Sequence, residues 1–274
     1  MNAMEWHSRE ALGHEVSAMT YCVGILVKDG MVMMADTRTN AGVDNISTYR
    51  KLRIFETGEG RCMAVASAGS LSVTQAAITR LQDAMTLPGA DERETLDNAP
   101  SMFRAAQLVG AALREAKSGI DAAITDDKIS TGASLLFGGS IAGRKPRLFL
   151  IYGSGNFIEC QPDTPFLQIG EHKYGKPILD RSITYDTPIA EAVKVSLISF
   201  NSTMRSNLAV GLPIDVLTLR PGSSTPDLVH RIDNDDAYYR ELDDRWSRAL
   251  KAAQMAIPLP PYGEAAGQGD LMEL

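Results

Sequence analysis

The chain has 274 residues, 44% of them hydrophobic, and a formal net charge of −7. That length allows one domain or two small ones with ample material for a packed core, and the negative balance argues against a nucleic-acid partner. No apolar run approaches the ~18 residues of a membrane span, and residues 1–19 carry Glu5, Arg9, Glu10 and Glu15 without the apolar core of a signal peptide.

The expected compartment is therefore the cytoplasm, with no membrane partner. Cys22, Cys62 and Cys160 are far apart and lack CxxC spacing, so they read as reduced core thiols. The four histidines show no ligand spacing and no HExxH occurs, so neither a metal nor another cofactor is expected. GxxxxGK[ST] is also absent, which makes any unfolding ATPase a separate protein.

Residues 1–19 have little sheet character and form an N-terminal extension, either a pro-segment or an unused upstream start. Tyr21 to Val27 and Met31 to Ala35 are apolar runs joined by Lys28-Asp29-Gly30, a hairpin pattern. Asp36 and Arg38 stand at the end of the second run, and Gly42 in the following loop permits a positive φ. Lys51 opens a third strand, LRIFE. Arg61 to Ser67 predicts a buried strand, and Ala68-Gly69-Ser70 a turn. A helix over 71–85 follows, with Ser70 as its N-cap and Leu87-Pro88-Gly89 as its stop.

A second helix is predicted over 102–117, then a polar loop over 121–128. Short strands are expected at 133–137, 147–152, 157–160 and 166–169. A short helix or turn covers 173–183. The stripe Ile189, Ala192, Val193, Leu197, Phe200 and Met204 marks another helix beginning at Thr187-Pro188. Strands at 214–219 and 228–232 precede a charged helix over 235–256, with Tyr238, Leu242, Trp246 and Leu250 on one face. The main domain is placed at 20–257, and the Pro/Gly-rich tail at 258–274 is expected to be loose. Runs of strands followed by runs of helices argue for a layered α+β fold rather than alternating βαβ units.

Thr20 is either an ordinary strand residue or, if it is the chain terminus, a nucleophile. Its hydroxyl needs a base, and its own α-amine can supply one, because an α-amine with a pKa of ~7.7–8.0 is partly neutral near pH 7. Initiation at Met19 followed by loss of that methionine would expose it. A cation such as Lys51 would stabilise charge developing on the hydroxyl oxygen. Arg50 and Arg53 are rivals for that role. Asp36 would hold the cation, and the N–H of Gly69 would serve a developing oxyanion.

Thr20, Ala35-Asp36, the loop glycine and Lys51 together resemble the N-terminal threonine hydrolases of the proteasome β type. The wording TYCVGI, ADTRTNAGVDNISTYRK, GEHKYGKPILDR and MRSNLAVGLPIDVLTL is similar to the bacterial Anbu (ancestral β-subunit) branch, over about residues 19–256. The resemblance implies a four-layer αββα sandwich of the N-terminal nucleophile hydrolase type. It also implies peptide or protein substrates and self-association into a ring or spiral. Thr20, Asp36, Lys51 and Gly69 take the catalytic positions, although the family lysine usually lies one residue further on. Ser67 and Leu71 would line the substrate pocket.

Gly153-Ser154-Gly155 mimics the family's Gly-Ser-Gly, but the matching site is GEHKYG, which has Glu171 and His172 where serine is usual. Ser206 and Ala209 stand where an Asp and a Ser are usual. Glu171, His172 and Ser206 are thus the candidates for a supporting shell. Three functions follow: a threonine peptidase, a catalytically silent assembly subunit, and an N-terminal nucleophile amidase acting on small amides.

Overall fold

The computed structural model describes residues 20–40, 46–55, 57–83, 94–124, 129–141 and 143–262. The hairpin pattern at the start folds as expected, giving β1 (Tyr21–Val27) and β2 (Gly30–Asp36). Two short strands follow, β3 (Arg38–Asn40) and β4 (Ile46–Thr48), paired antiparallel where a plain loop was expected. Next come β5 (Leu52–Phe55), β6 (Arg61–Gly69), α1 (Leu71–Gln82) and α2 (Met102–Ala123). The meander comprises β7 (Ala133–Ile141), β8 (Arg147–Tyr152), β9 (Phe157–Glu159) and β10 (Phe166–Gly170). Then α3 (Lys176–Ser182), α4 (Ile189–Ser206), β11 (Ile214–Leu219), β12 (Leu228–Ile232) and α5 (Ala237–Ala256) complete the order.

Two five-stranded antiparallel sheets dominate the compact unit that ends at Asn234. One has the order β10-β1-β2-β11-β12 and the other β5-β6-β7-β8-β9. Strand periodicity explains the layers: alternate residues point to opposite faces. Cys22, Met31, Met33 and Ala35 of the first sheet share a core with Ala64, Ala66, Ala68, Leu136 and Leu148 of the second. The intervening residues Met63, Val65, Leu135 and Phe137 pack instead with α1 and α2 through Val73, Ala77, Ala105, Val109 and Leu113. On the far side α4 packs on β1 and β2, where the rings of Tyr21 and Phe200 lie 4.6 Å apart. Helix, sheet, sheet and helix thus form the four-layer α+β sandwich.

Several local expectations change. Gly69 ends β6 rather than lying in a turn. Ser70 precedes α1 without a side-chain capping bond, whereas Ser101 caps α2 by accepting from the N–H of Arg104 at 3.1 Å. α2 runs on to Ala123, into the first residues of the stretch expected as a loop over 121–128, where a Lys117–Asp121 pair at i,i+4 and 2.5 Å continues its outer face; residues 125–128 lie outside the described residues. Gly42 and the stop at Leu87-Pro88-Gly89 lie outside the described residues, as do residues 1–19 and 263–274. α5 belongs to a separate unit from Asp235 onward, and Asp236 caps it by accepting from the N–H of Tyr239 at 2.8 Å. Its expected apolar face is not uniform: Tyr238 and Leu250 are both exposed. Among the described residues no helix is long and apolar enough to cross a membrane.

Candidate active site

The strand ends deliver the candidate residues to one place. Thr20 precedes β1, Asp36 closes β2, and Lys51 leads into β5 on the facing sheet. All three are buried, at 3%, 0% and 5% exposure, which is unusual for charged side chains without partners. One oxygen of Asp36 explains the burial. Its Oδ1 accepts from the Thr20 hydroxyl at 2.5 Å, the Lys51 ammonium at 2.8 Å and the backbone N–H of Tyr21 at 3.0 Å. The second oxygen accepts from the N–H of Arg38 at 3.2 Å. Lys51 spends another proton on the Arg38 carbonyl at 2.5 Å. Burial pushes the Asp36 carboxyl up, while the Lys51 charge, its hydrogen bond and those from Thr20 and Tyr21 pull it back.

The rivals of Lys51 lie elsewhere: Arg50 is exposed, and Arg53 rests over the Tyr49 ring at 5.6 Å. Cys22 lies behind this group, fully buried. Its thiol sits 3.5 Å from the Ser67 carbonyl, and burial pushes its pKa up. Tyr21 anchors the back of the strand: its hydroxyl accepts from Gln168 at 2.5 Å and pairs with Ser199 at 2.7 Å, and Ser199 donates to the Gly175 carbonyl at 3.0 Å.

Gly69 has φ +101°, and a β-carbon there would overlap the Gly132 carbonyl, so no other residue fits without strain. Ser67 is 2% exposed, its hydroxyl turned to the Lys51 carbonyl at 3.5 Å. Leu71 stands 37% exposed at the start of α1. Gly153-Ser154-Gly155 makes the β8–β9 turn, in which the Gly155 N–H donates to the Tyr152 carbonyl at 2.8 Å.

The third group of candidates divides. Glu171 is 7% exposed, and its N–H donates to the Thr20 carbonyl at 2.7 Å. His172 is exposed, with Nδ1 3.1 Å from the Gly170 carbonyl. Ser206 is exposed at the last residue of α4. The residue that does reach Glu171 is its neighbour Asn207, absent from the sequence-based candidates. Its Nδ2 donates to Glu171 Oε2 at 3.1 Å, and its Oδ1 accepts from the Ala209 N–H at 3.0 Å. No sequence pattern flags such an Asn. Only its place just after the helix end, where the chain turns back toward the sheet, would draw notice.

Two facing antiparallel sheets, flanked by helices and with a threonine, carboxylate and lysine at the strand ends, define a proteasome-type subunit. A family model described as "Proteasome subunit" matches residues 17–219, and the chain belongs to that family. It is similar to Anbu from Hyphomicrobium sp. strain MC1, at 46% identity and TM-score 0.79 over 88% of this chain and 99% of that one. Anbu (ancestral β-subunit) from Yersinia bercovieri shares 42% identity at TM-score 0.81, covering 89% and 100%. The Anbu complex of Pseudomonas aeruginosa, solved as a helical assembly, shares 43% identity at TM-score 0.79, covering 89% and 99%. No match was found among curated proteins.

Proposed function

We propose that this proteasome-family subunit is a threonine-type peptidase or amidase of the cytoplasm that works as a homo-oligomer on peptide or protein substrates. The observation that carries this reading is the shared Asp36 oxygen, which holds both the Thr20 hydroxyl and the Lys51 ammonium. With residues 1–19 removed, the Thr20 α-amine takes the hydroxyl proton, by way of a water. Oγ1 then bonds to the substrate carbonyl carbon, and the carbonyl oxygen becomes an oxyanion facing the Gly69 N–H. The C–N bond breaks, the leaving amine takes the proton, and water releases the ester-linked acyl group. Lys51 stabilises negative charge on Oγ1, and Asp36 keeps the lysine charged and oriented. Ser67 and Leu71 border the side-chain pocket in this reading. Self-association is supported by the assembled Pseudomonas relative.

A second reading, the silent assembly subunit, is favoured by the exposed Ser206 and by Ala209, which stand where the resembled family usually has an Asp and a Ser. The test is a chain beginning at Thr20. It should hydrolyse peptide amides and bind electrophiles covalently at Thr20, and Thr20→Ala should assemble normally yet lose both. The loss should be at least the ~10²–10⁴-fold of general-base help alone. A Thr20→Ala chain that keeps its rate removes the threonine mechanism.

A further inference from the structure

Glu171 is a buried carboxylate with an incomplete set of partners. Among the described residues its side chain is held by one donor, the neutral amide of Asn207, and by no cation. A carboxylate has two oxygens that accept, and burying its charge is costly without an opposite charge nearby. The backbone says where that charge can come from. The β1–β10 register pairs Tyr21 with Gly170 and Cys22 with Ile169, so its next step sets Thr20 opposite Glu171. The 2.7 Å bond from the Glu171 N–H to the Thr20 carbonyl realises that step. Gly170, at φ +79°, brings the two backbones so close that a β-carbon on it would overlap the Thr20 carbonyl. In a chain that starts at Thr20, this same residue carries an α-ammonium.

We infer that Glu171, held by Asn207, is a positioning residue that binds the α-amine of a terminal Thr20, in a chain that has Ser206 and Ala209 where the resembled family usually has an Asp and a Ser. The proposal rests on the Thr20 reading above. Its logic is a division of labour between the two sides of the threonine. Asp36, at the end of β2, holds the hydroxyl through the same oxygen that accepts from Lys51, at the lead into β5. Glu171 and Asn207, from the end of β10 and the end of α4, hold the amine. A carboxylate beside an ammonium favours the charged form and so makes the amine a stronger base; Lys51 acts in the opposite sense. Among the described residues, the other titrating or charged groups near Thr20 in the sequence or the sheet include Arg38, whose guanidinium donates to the Leu208 carbonyl, the buried Cys22, Tyr21 facing α4, and the exposed His172. All of them are unchanged in a Glu171 variant, so a difference measurement isolates the carboxylate.

The experiment is competitive acetylation of the terminal amine across pH 5–9, read by mass spectrometry of the N-terminal peptide. It uses the assembled chain expressed from Met19 with that methionine removed, and the pH profile of kcat/KM on a peptide amide is measured in parallel. Glu171→Gln should lower the α-amine pKa by about one unit or more, the usual size of a neighbouring-charge effect. The acid limb of the rate profile should move down with it. Glu171→Ser, which places the residue usual in the wider family, must shift the amine the same way, and it decides the matter if the Gln variant does not assemble. Glu171→Asp, which keeps the charge, should restore most of the shift. An α-amine pKa unmoved in both neutral variants overturns the proposal even if turnover depends on Thr20. Conversely, a shifted amine in a chain with no turnover upholds the proposal and removes the peptidase reading instead.

Discussion

Replacing Lys51 with Met tests the centre of the site without relying on catalysis. The Lys51–Asp36 pair is 2.8 Å long, with side-chain exposures of 6% and 0%. At an effective dielectric near 20, charges so close attract by about 6 kcal/mol. Desolvation offsets most of that, but removing one partner strands the other, at a cost of about 3–5 kcal/mol. The deficit should depend on pH. Burial already raises the Asp36 carboxyl, and the Lys51 charge is the largest opposing influence. Without Lys51 the folded-state pKa rises further above the unfolded ~3.9. A group raised on folding contributes stability below its unfolded pKa and loses it as pH rises through the folded value. The Lys51→Met deficit should therefore widen between pH 5 and pH 8. Asp36→Asn should be costly too, whereas the double variant should recover much of the loss. Urea unfolding of all four chains at both pH values measures the coupling. A coupling below about 1 kcal/mol, or a deficit that shrinks with rising pH, would refute the reasoning. Turnover should vanish in Lys51→Ala and persist in charge-neutral variants of Arg50 and Arg53.

Gly170→Ala should cost more than the usual ~1 kcal/mol of a left-handed glycine replacement, because its β-carbon meets the Thr20 carbonyl; chemical denaturation and labelling of Thr20 should fail together. The three thiols should be silent toward thiol reagents at pH 8 in the folded chain and react only on denaturation. All are buried, with Cys62 pushed up to about 11 and Cys160 to about 12, chiefly by burial, so that at most about one thiol in a thousand is ionised. Fast labelling of any of them would contradict the packing. Light scattering at micromolar concentration should find an assembly well above a dimer, and a stable monomer would count against family-type self-association.

Local pattern alone determined most of the elements of this protein. The continuous apolar runs YCVGILV and MVMMA, joined by the Lys28-Asp29-Gly30 turn, made β1 and β2 legible, because a short apolar run bounded by a turn reads as a strand buried on both faces. The helical stripe from Ile189 did the same for α4. Local pattern named the acid and the cation at strand ends as candidates, and it was the family resemblance that chose Lys51 over its neighbours. Lys51, Arg50 and Arg53 are alike in sequence. Only the facing of the two sheets makes Lys51 the one whose ammonium meets Asp36. The short β3–β4 pair was hidden because three-residue strands leave no periodic signal. α2 ran on past its apolar stripe because an i,i+4 ion pair sustains a helix face that hydropathy reads as loop. Ser206 and Asn207 show the limit most clearly. They are adjacent in sequence and similar in chemistry, yet one faces outward and the other reaches Glu171 across a separation of 36 residues. A hydrogen bond of that span depends on where a helix ends relative to a distant strand, and that position is fixed by packing between layers rather than by any local preference.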